Sequence, residues 1–421
     1  MIVGIIGSGG REHALCNKIK ESNNITKIFC IPGNAGTNDI AENVDIKIKD
    51  FKCLKDFCIK NKIELLIVGP EQPLVDGIVD YFQGSSIKIF GPNKKASQLE
   101  GSKIFTKKIC AEYNIPTANF NIFSNIKDTK KYLNNINYPL VIKADGLAAG
   151  KGVYICKNYN DASIAAEEIF GGKFGDSKYL LIEDFLVGEE MSYFVICDGK
   201  NYKFIGSAQD HKRVGEGDKG KNTGGMGCYS PSRLFNDELA DKINKRIIDP
   251  TLFALRNLGL NYLGFLYVGL MIKDNNPFLV EFNVRMGDPE CQTILPLIEN
   301  DLSKLLVNCC EGKLDKEQIK LKNNKSICIV LCSKGYPDKY EKDIQINGLY
   351  NLSKKSNQYI FHAGTKSERK KILSNGGRVL NFVSLSRDLK KSREDLIELI
   401  NKLNWSNGFF RKDIGYKVID L

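Results

Sequence analysis

The chain holds 421 residues, 42% hydrophobic and 26% charged, which excludes a disordered polymer and supplies apolar content for about three domains of roughly 150 residues each. Its 13 cysteines, none in a C-x-x-C pair, and its 3 histidines exclude a disulfide framework and a zinc site, leaving the thiols as small buried hydrophobes in a reducing compartment. The net charge of +11 comes almost wholly from residues 321–421, which carry 20 basic and 10 acidic side chains; without interleaved aromatics this reads as a solvated surface, and no nucleic-acid partner is expected.

The amino terminus, MIVGIIGSGG, has neither a basic region nor a cleavage site, and no run of ~18 apolar residues occurs, so a cytoplasmic protein without membrane contact is expected. Strands and helices then alternate: IVGIIG, a helix from about 12 to 20, KIFCI, a helix around 50 to 61, ELLIVG, a helix near 74 to 82, and IKIFG. Such β-α repetition predicts an open parallel sheet with ligands at the carboxyl ends of its strands. It is not a dinucleotide fingerprint, because Glu12 stands where the third glycine belongs and the second strand ends in Pro32-Gly33 instead of an acid. An anion at the helix start is still expected, with Gly9, Gly10 and Arg11 as its cradle.

A break near Gly91-Pro92 precedes a helix over 103–113, and then comes YPLVIKADGLAAGKGV at 138–153. Its apolar run reaches Lys143 and opens into Gly146, Gly150 and Gly152, a loop whose backbone N–H groups can approach phosphate while Lys143 and Lys151 add charge. A Walker A loop is excluded, since three residues instead of four separate Gly146 from Gly150 and a glycine follows Lys151 where Ser or Thr is required. A plain glycine-rich hairpin is the bland alternative, and the bracketing lysines weigh against it. IEDFLVGEE (182–190) closes a strand, and the polar, glycine-rich 209–227 is expected to be a lid or binding loop.

Residues 278–284 of PFLVEFNVRMGDPE form a predicted strand, so Glu281, Asn283 and Arg285 share one face while Phe282 and Val284 share the other. Glu281 and Asn283 suit a hard cation such as Mg²⁺, and Arg285 is placed to hold a carboxylate or a transferring phosphoryl group. A solvated edge strand would explain any lone E-x-N-x-R; the GDPE turn and the upstream glycine loop favour the functional reading. From Ser326 the pattern becomes ICIVLCS, QYIFHAG and RVLNFVSL, then a helix from about 387 to 403.

The segments GSGGREHAL, GPEQPLVDG, QLEGSK, VIKADGLAAGKGV, QDHKRV, NTGGMG, EFNVRMGDPE, FHAGT, GGRVL and RKDIGYKVI resemble, from end to end, the ATP-grasp ligases and within them the phosphoribosylamine-glycine ligases. The resemblance implies an α/β and α+β architecture: an open parallel α/β domain over 1–101, an ATP-grasp domain over 102–325 with a mobile lid at about 120–190, and a small β-rich domain over 326–421. It implies ligation of glycine to 5-phosphoribosylamine through a glycyl phosphate, with ATP and Mg²⁺ or Mn²⁺, in a chain expected to be a monomer. Lys103 and Lys143 match the nucleotide-phosphate lysines, Gly146–Gly152 the flap, Glu183 to Leu186 the adenine hinge, and Glu190 the ribose carboxylate. Gly9, Arg11 and Glu71 are candidates for phosphoribosylamine, and Asp210, Arg213 and Asp288 for glycine or the amine. The strand GFLYVGLMI (264–272) lacks the further carboxylate many ATP-grasp enzymes offer, so fewer protein ligands to the metal are expected. Another ATP-grasp carboxylate-amine ligase or carboxylase is the alternative.

Overall fold

The computed structural model describes residues 1–148, 152–175, 177–403 and 405–419. Five parallel strands form the amino-terminal sheet, in the order Glu42–Asn43, Lys27–Pro32, Ile2–Gly7, Leu65–Val68, Lys88–Phe90. Helices cover both faces, which is why Leu65–Val68 is a continuous apolar run buried along its whole length. One face packs Ile6, Leu66 and Leu74 against Ile247, Leu266 and Phe282 of the middle of the chain. The other packs Val3 and Ile5, through Ala14 and Leu15 of the helix Gly10–Lys20, against Ile294 and Phe361. The helix expected near 74–82 is instead two short ones, Glu71–Asp76 and Ile78–Tyr81, parted at Gly77 with φ 99°, a conformation that ends helices and that glycine adopts without strain.

The middle of the chain builds two sheets. Four antiparallel strands, ordered Phe120–Phe123, Leu180–Asp184, Leu140–Ala144, Val153–Cys156, carry the helices Ile126–Leu133 and Tyr159–Phe170. Asn125 and Asn158 cap these helices, and the unit closes a small core of its own, with Leu140, Ile142, Ala162, Ala166 and Ile182. The second sheet has nine strands and runs from Asn276–Asn283 through Leu263–Lys273, Glu189–Asp198, Tyr202–Asp210 and Gly227–Ser230 into Lys325–Ser333, Arg378–Ser386 and Gln358–His362, with the short Gly408–Phe409 also paired to Lys325–Ser333. It therefore continues from the middle of the chain into the carboxyl-terminal region through the pairing of Tyr229 with Ile327. The stretch 209–227 is no open loop: the hairpin Arg213–Gly215 with Lys219–Asn222 occupies it, turned at Gly217 and Asp218, both with positive φ. Among the described residues no helix is long and apolar enough to cross a membrane.

Candidate active site

Two charged clusters meet where the nine-stranded sheet, the four-stranded sheet and the parallel sheet converge. In the first, Asn276–Asn283 pairs with Leu263–Lys273 so that Glu281 lies opposite Gly269 and Leu279 opposite Leu270, which leaves Val280 as a bulge. Bulges re-aim side chains. A Cβ on Gly269 would stand 3.2 Å from Glu281 Cγ, so the glycine leaves space for that side chain. Neither Glu281 nor Asn283 makes a side-chain hydrogen bond or ion pair among the described residues, although Asn283 is 8% exposed. Such a carboxylate and amide, two residues apart on one strand face, suit a hard cation. Glu281 lines a cleft with Glu190, Ser192, Asp210, Lys212 and Tyr267. There the Lys212 ammonium meets Glu190 at 2.5 Å; burial opposes its charge, yet Glu190 and Glu281 hold it well above the ordinary lysine value, and Lys212 in turn lowers Glu190.

Lys103 and Lys143 lie where the four-stranded sheet adjoins this cleft. Lys103, at the start of the helix Lys103–Glu112, donates to the Gly146 carbonyl at 2.9 Å, and burial lowers its pKa against the pull of Glu281. Lys143, in Leu140–Ala144, donates to Glu183 Oε2 at 2.9 Å, and Lys107 lies 3.4 Å from the other oxygen. Glu183 thus turns its side chain into the protein at the end of Leu180–Asp184. The backbone of 185–187, Leu186 included, belongs to neither flanking strand and takes no hydrogen bond among the described residues, so its N–H and C=O groups are open to a planar, hydrogen-bonding ring edge. Gly146 has φ 94° and Gly152 closes the loop onto Ala144 through its carbonyl. Gly150 and Lys151 lie outside the described residues.

The second cluster lies at the carboxyl ends of the parallel strands. At the turn where Gly9, Gly10 and Arg11 are expected to cradle an anion, Glu12 enters. Its carboxylate accepts from the Gly9 amide at 2.6 Å and from Arg11 Nε at 2.7 Å, so the helix start carries its own anion. Gly7 and Gly69 make room for that group: their Cβ atoms would come within 2.4 Å of Glu12 Cγ and 2.1 Å of Glu12 Oε1. Arg11 also donates to the Met286 carbonyl, and Gly10 is enclosed by Asn381 and Gln292. Arg285 is likewise paired within the protein. The strand ladder stops at Asn283, and Arg285 reaches Glu71 at 3.1 Å and Glu100 at 2.8 Å instead of the cleft wall with Glu281. Burial pushes Glu100 up to about 7 even beside Arg285; it also acts to raise Glu71, but Arg285 and Arg11 outweigh it there.

Between the clusters sit the expected acids of the acceptor side. Asp288 meets Arg378 at 3.4 Å and accepts from Gln292 at 2.8 Å, while Arg378 also donates to the carbonyls of Asp288 and Gly224. Asp210 presents a buried, unpartnered Oδ1. Burial raises Asp210 and Glu290, and Glu290 accepts from Ser192 at 3.3 Å. Arg213 does not join them: its guanidinium donates to the Gly220 carbonyl across the hairpin. The residues missing from the sequence expectations are Glu12 as an internal cap, Glu100, Lys107, Lys212, Glu290 and Arg378. All but Lys107 stand inside the motif segments GSGGREHAL, QLEGSK, QDHKRV, EFNVRMGDPE and GGRVL, and their charge in a glycine- or strand-terminal context was the available signal.

Family models for phosphoribosylglycinamide synthetase match the chain in three parts: the N domain over residues 1–100, the ATP-grasp (A) domain over 101–291 and the C domain over 326–417. The chain is 42% identical over 420 residues to the phosphoribosylamine-glycine ligase of Mesorhizobium japonicum, covering 100% of this chain and 99% of that one. Against the enzyme of the same name from Escherichia coli it is 43% identical over 426 residues, again covering 100% and 99%. The crystal structure of the Thermotoga maritima phosphoribosylamine-glycine ligase superposes with a TM-score of 0.85 at 31% identity, covering 99% and 100% of the two chains. The fold extends to the biotin carboxylase domain of Hydrogenobacter thermophilus 2-oxoglutarate carboxylase, solved with MgADP, at a TM-score of 0.71 and 17% identity over 96% and 94% of the chains.

Proposed function

The chain belongs to the phosphoribosylglycinamide synthetase family and is an ATP-dependent ligase of purine biosynthesis, and on that premise we propose that its two clusters divide the reaction between phosphoryl transfer and amine attack. The observation that carries this reading is the unpaired Glu281–Asn283 couple, set in a cleft between Lys212 and the lysines of the lid. Those two oxygens fit a divalent cation, Mg²⁺ or Mn²⁺, and would hold it; when bound it would neutralise charge on the transferring phosphoryl group.

Lys103 and Lys143 would receive the phosphates, the open backbone near Leu186 the adenine, and Glu190, once released by Lys212, the ribose hydroxyls. The glycine carboxylate attacks the terminal phosphorus and ADP leaves, giving glycyl phosphate. The amine of 5-phosphoribosylamine then attacks the acyl carbon and phosphate leaves. No side-chain nucleophile is needed, so the protein contributes position and charge. Asp210 and Glu290, buried carboxylates that gain from a cation, suit the glycine ammonium or the proton lost by the attacking amine, and Asp288 with Arg378 borders that space. Arg285 acts through Glu71 and Glu100, fixing the floor of the acceptor side. The working form is a monomer in the cytoplasm.

ADP release in the presence of phosphoribosylamine should depend on glycine and not on D-alanine or bicarbonate; release indifferent to glycine overturns the assignment. Glu281→Gln should abolish turnover at saturating divalent metal with a change in stability below about 0.5 kcal/mol, because the side chain has no partner to lose. Retained turnover in that variant would remove the metal role.

A further inference from the structure

Glu183 is 5% exposed and carries two buried lysines, Lys143 at 6% and Lys107 at 3%. The two are held differently. Lys143 hydrogen-bonds Glu183 Oε2 and nothing else among the described residues. Lys107, on the helix Lys103–Glu112, donates to Thr117 Oγ1 at 2.7 Å and to the Ala118 carbonyl at 3.2 Å, and its ammonium stands 3.4 Å from Glu183 Oε1. Thr117 is itself fixed by a 2.7 Å bond to the Leu279 carbonyl, on the strand that ends in Asn283. Oε1 has no hydrogen bond, so Lys107 supplies charge to it without taking its lone pairs.

A buried carboxylate stripped of its cation is costly, and a lysine serving as the sole counter-ion is bound by that cost. If Lys143 were alone, each approach to a phosphate would leave Glu183 uncompensated. We propose that Lys107 is a positioning residue that keeps Glu183 neutralised in place, so that Lys143 is free to move from the carboxylate to the phosphates of the nucleotide. This rests on the reading of Lys143 as a phosphate-binding lysine. Lys107 touches neither nucleotide nor acceptor; it sets how readily Lys143 is released.

Calorimetric titration of the full chain with ATP and with adenosine tests it. Lys107→Met should weaken ATP at least tenfold, about 1.4 kcal/mol, and adenosine less than twofold, since only the phosphates need Lys143. In a Glu183→Gln background, where no charge holds Lys143, the same Lys107→Met change should alter ATP affinity less than twofold. Equal loss in both backgrounds, or equal loss of adenosine and ATP, overturns the proposal. Glu183→Gln alone keeps the test open should Lys107→Met not fold: ATP should bind at least as tightly as to the parent, and a tenfold loss confined to ATP refutes the idea. Lys143→Met separates the two levels, because ATP affinity unchanged in that variant removes the phosphate reading itself, whereas a large loss there beside additive Lys107 and Glu183 effects removes only the role of Lys107.

Discussion

Gly69→Ala tests whether the glycines at the ends of the parallel strands serve a bound phosphate or the protein's own carboxylate. Gly69 lies outside the left-handed region, so alanine costs nothing in backbone strain there, and the whole effect is steric. The new methyl would stand 2.1 Å from Glu12 Oε1 and 2.7 Å from its Cδ. The carboxylate must leave, breaking the 2.6 Å bond from the Gly9 amide and the 2.7 Å bond from Arg11. Both partners are enclosed, with Glu12 2% and Arg11 8% exposed, so water cannot replace what is lost. Breaking a buried pair of this kind costs about 3–5 kcal/mol, which at roughly 2 °C per kcal/mol for a large domain lowers the melting midpoint by about 6 °C or more. The assay is a thermal melt alongside the Michaelis constant for phosphoribosylamine. A variant that melts like the parent while losing phosphoribosylamine binding would refute the internal cap and restore an external anion at this turn.

Arg285→Met leaves Glu71 and Glu100 without their shared cation and should destabilise by about 3–5 kcal/mol, with Glu100→Gln in the same chain recovering part of the loss; full stability with lost turnover would instead return Arg285 to the phosphoryl group. The pH dependence of stability should carry the mark of the three histidines, since burial lowers His13 to about 3 and His211 and His362 to about 4. His211 accepts from the Gly415 amide at Nε2, which requires the neutral ring. The unfolded chain therefore binds more protons below about 6.5, and the stability these groups supply is complete above that pH and lost as pH falls toward 4. Each contributes a slope approaching 1.4 kcal/mol per pH unit, so His211→Gln should flatten the denaturant-derived profile by that amount between pH 6 and 4.5; an unchanged slope contradicts the burial argument.

The alternating strands and helices of the first hundred residues were legible because both periodicities are set by burial, which a single segment records. Glu281 and Asn283 were legible for a similar reason: two residues of one strand share a face whatever the rest of the chain does. The strand reading failed at Arg285 because its partner Glu100 is 185 residues away in the chain, and no local pattern encodes that. Glu12 was half legible. Its intrusion into a glycine motif was plain, but that Gly7 and Gly69 exist to admit its carboxylate needs the fold that brings residues 7, 12 and 69 together. The hairpin at 213–222 was hidden because its polar strands bury little and its glycines serve turns, the same composition a loop has.

Two cations of the cleft are already paired with carboxylates before any nucleotide arrives: Lys143 with Glu183 and Lys212 with Glu190. Binding a triphosphate is thus an exchange of partners, and the net gain is the difference between a phosphate oxygen and a carboxylate, far smaller than either contact alone. If Lys143 takes the phosphates as proposed, its exchange must be made cheap, which a second counter-ion on Glu183 would accomplish. Glu281 and Asn283 are the complement, oxygens without a partner among the described residues, and they favour the arrival of positive charge. On the proposed reading, a nucleotide carrying its metal would meet both conditions at once: Glu281 and Asn283 would hold the metal while Lys143 passes from Glu183 to the phosphates, so the site would respond to the charge-balanced pair more strongly than to either ion.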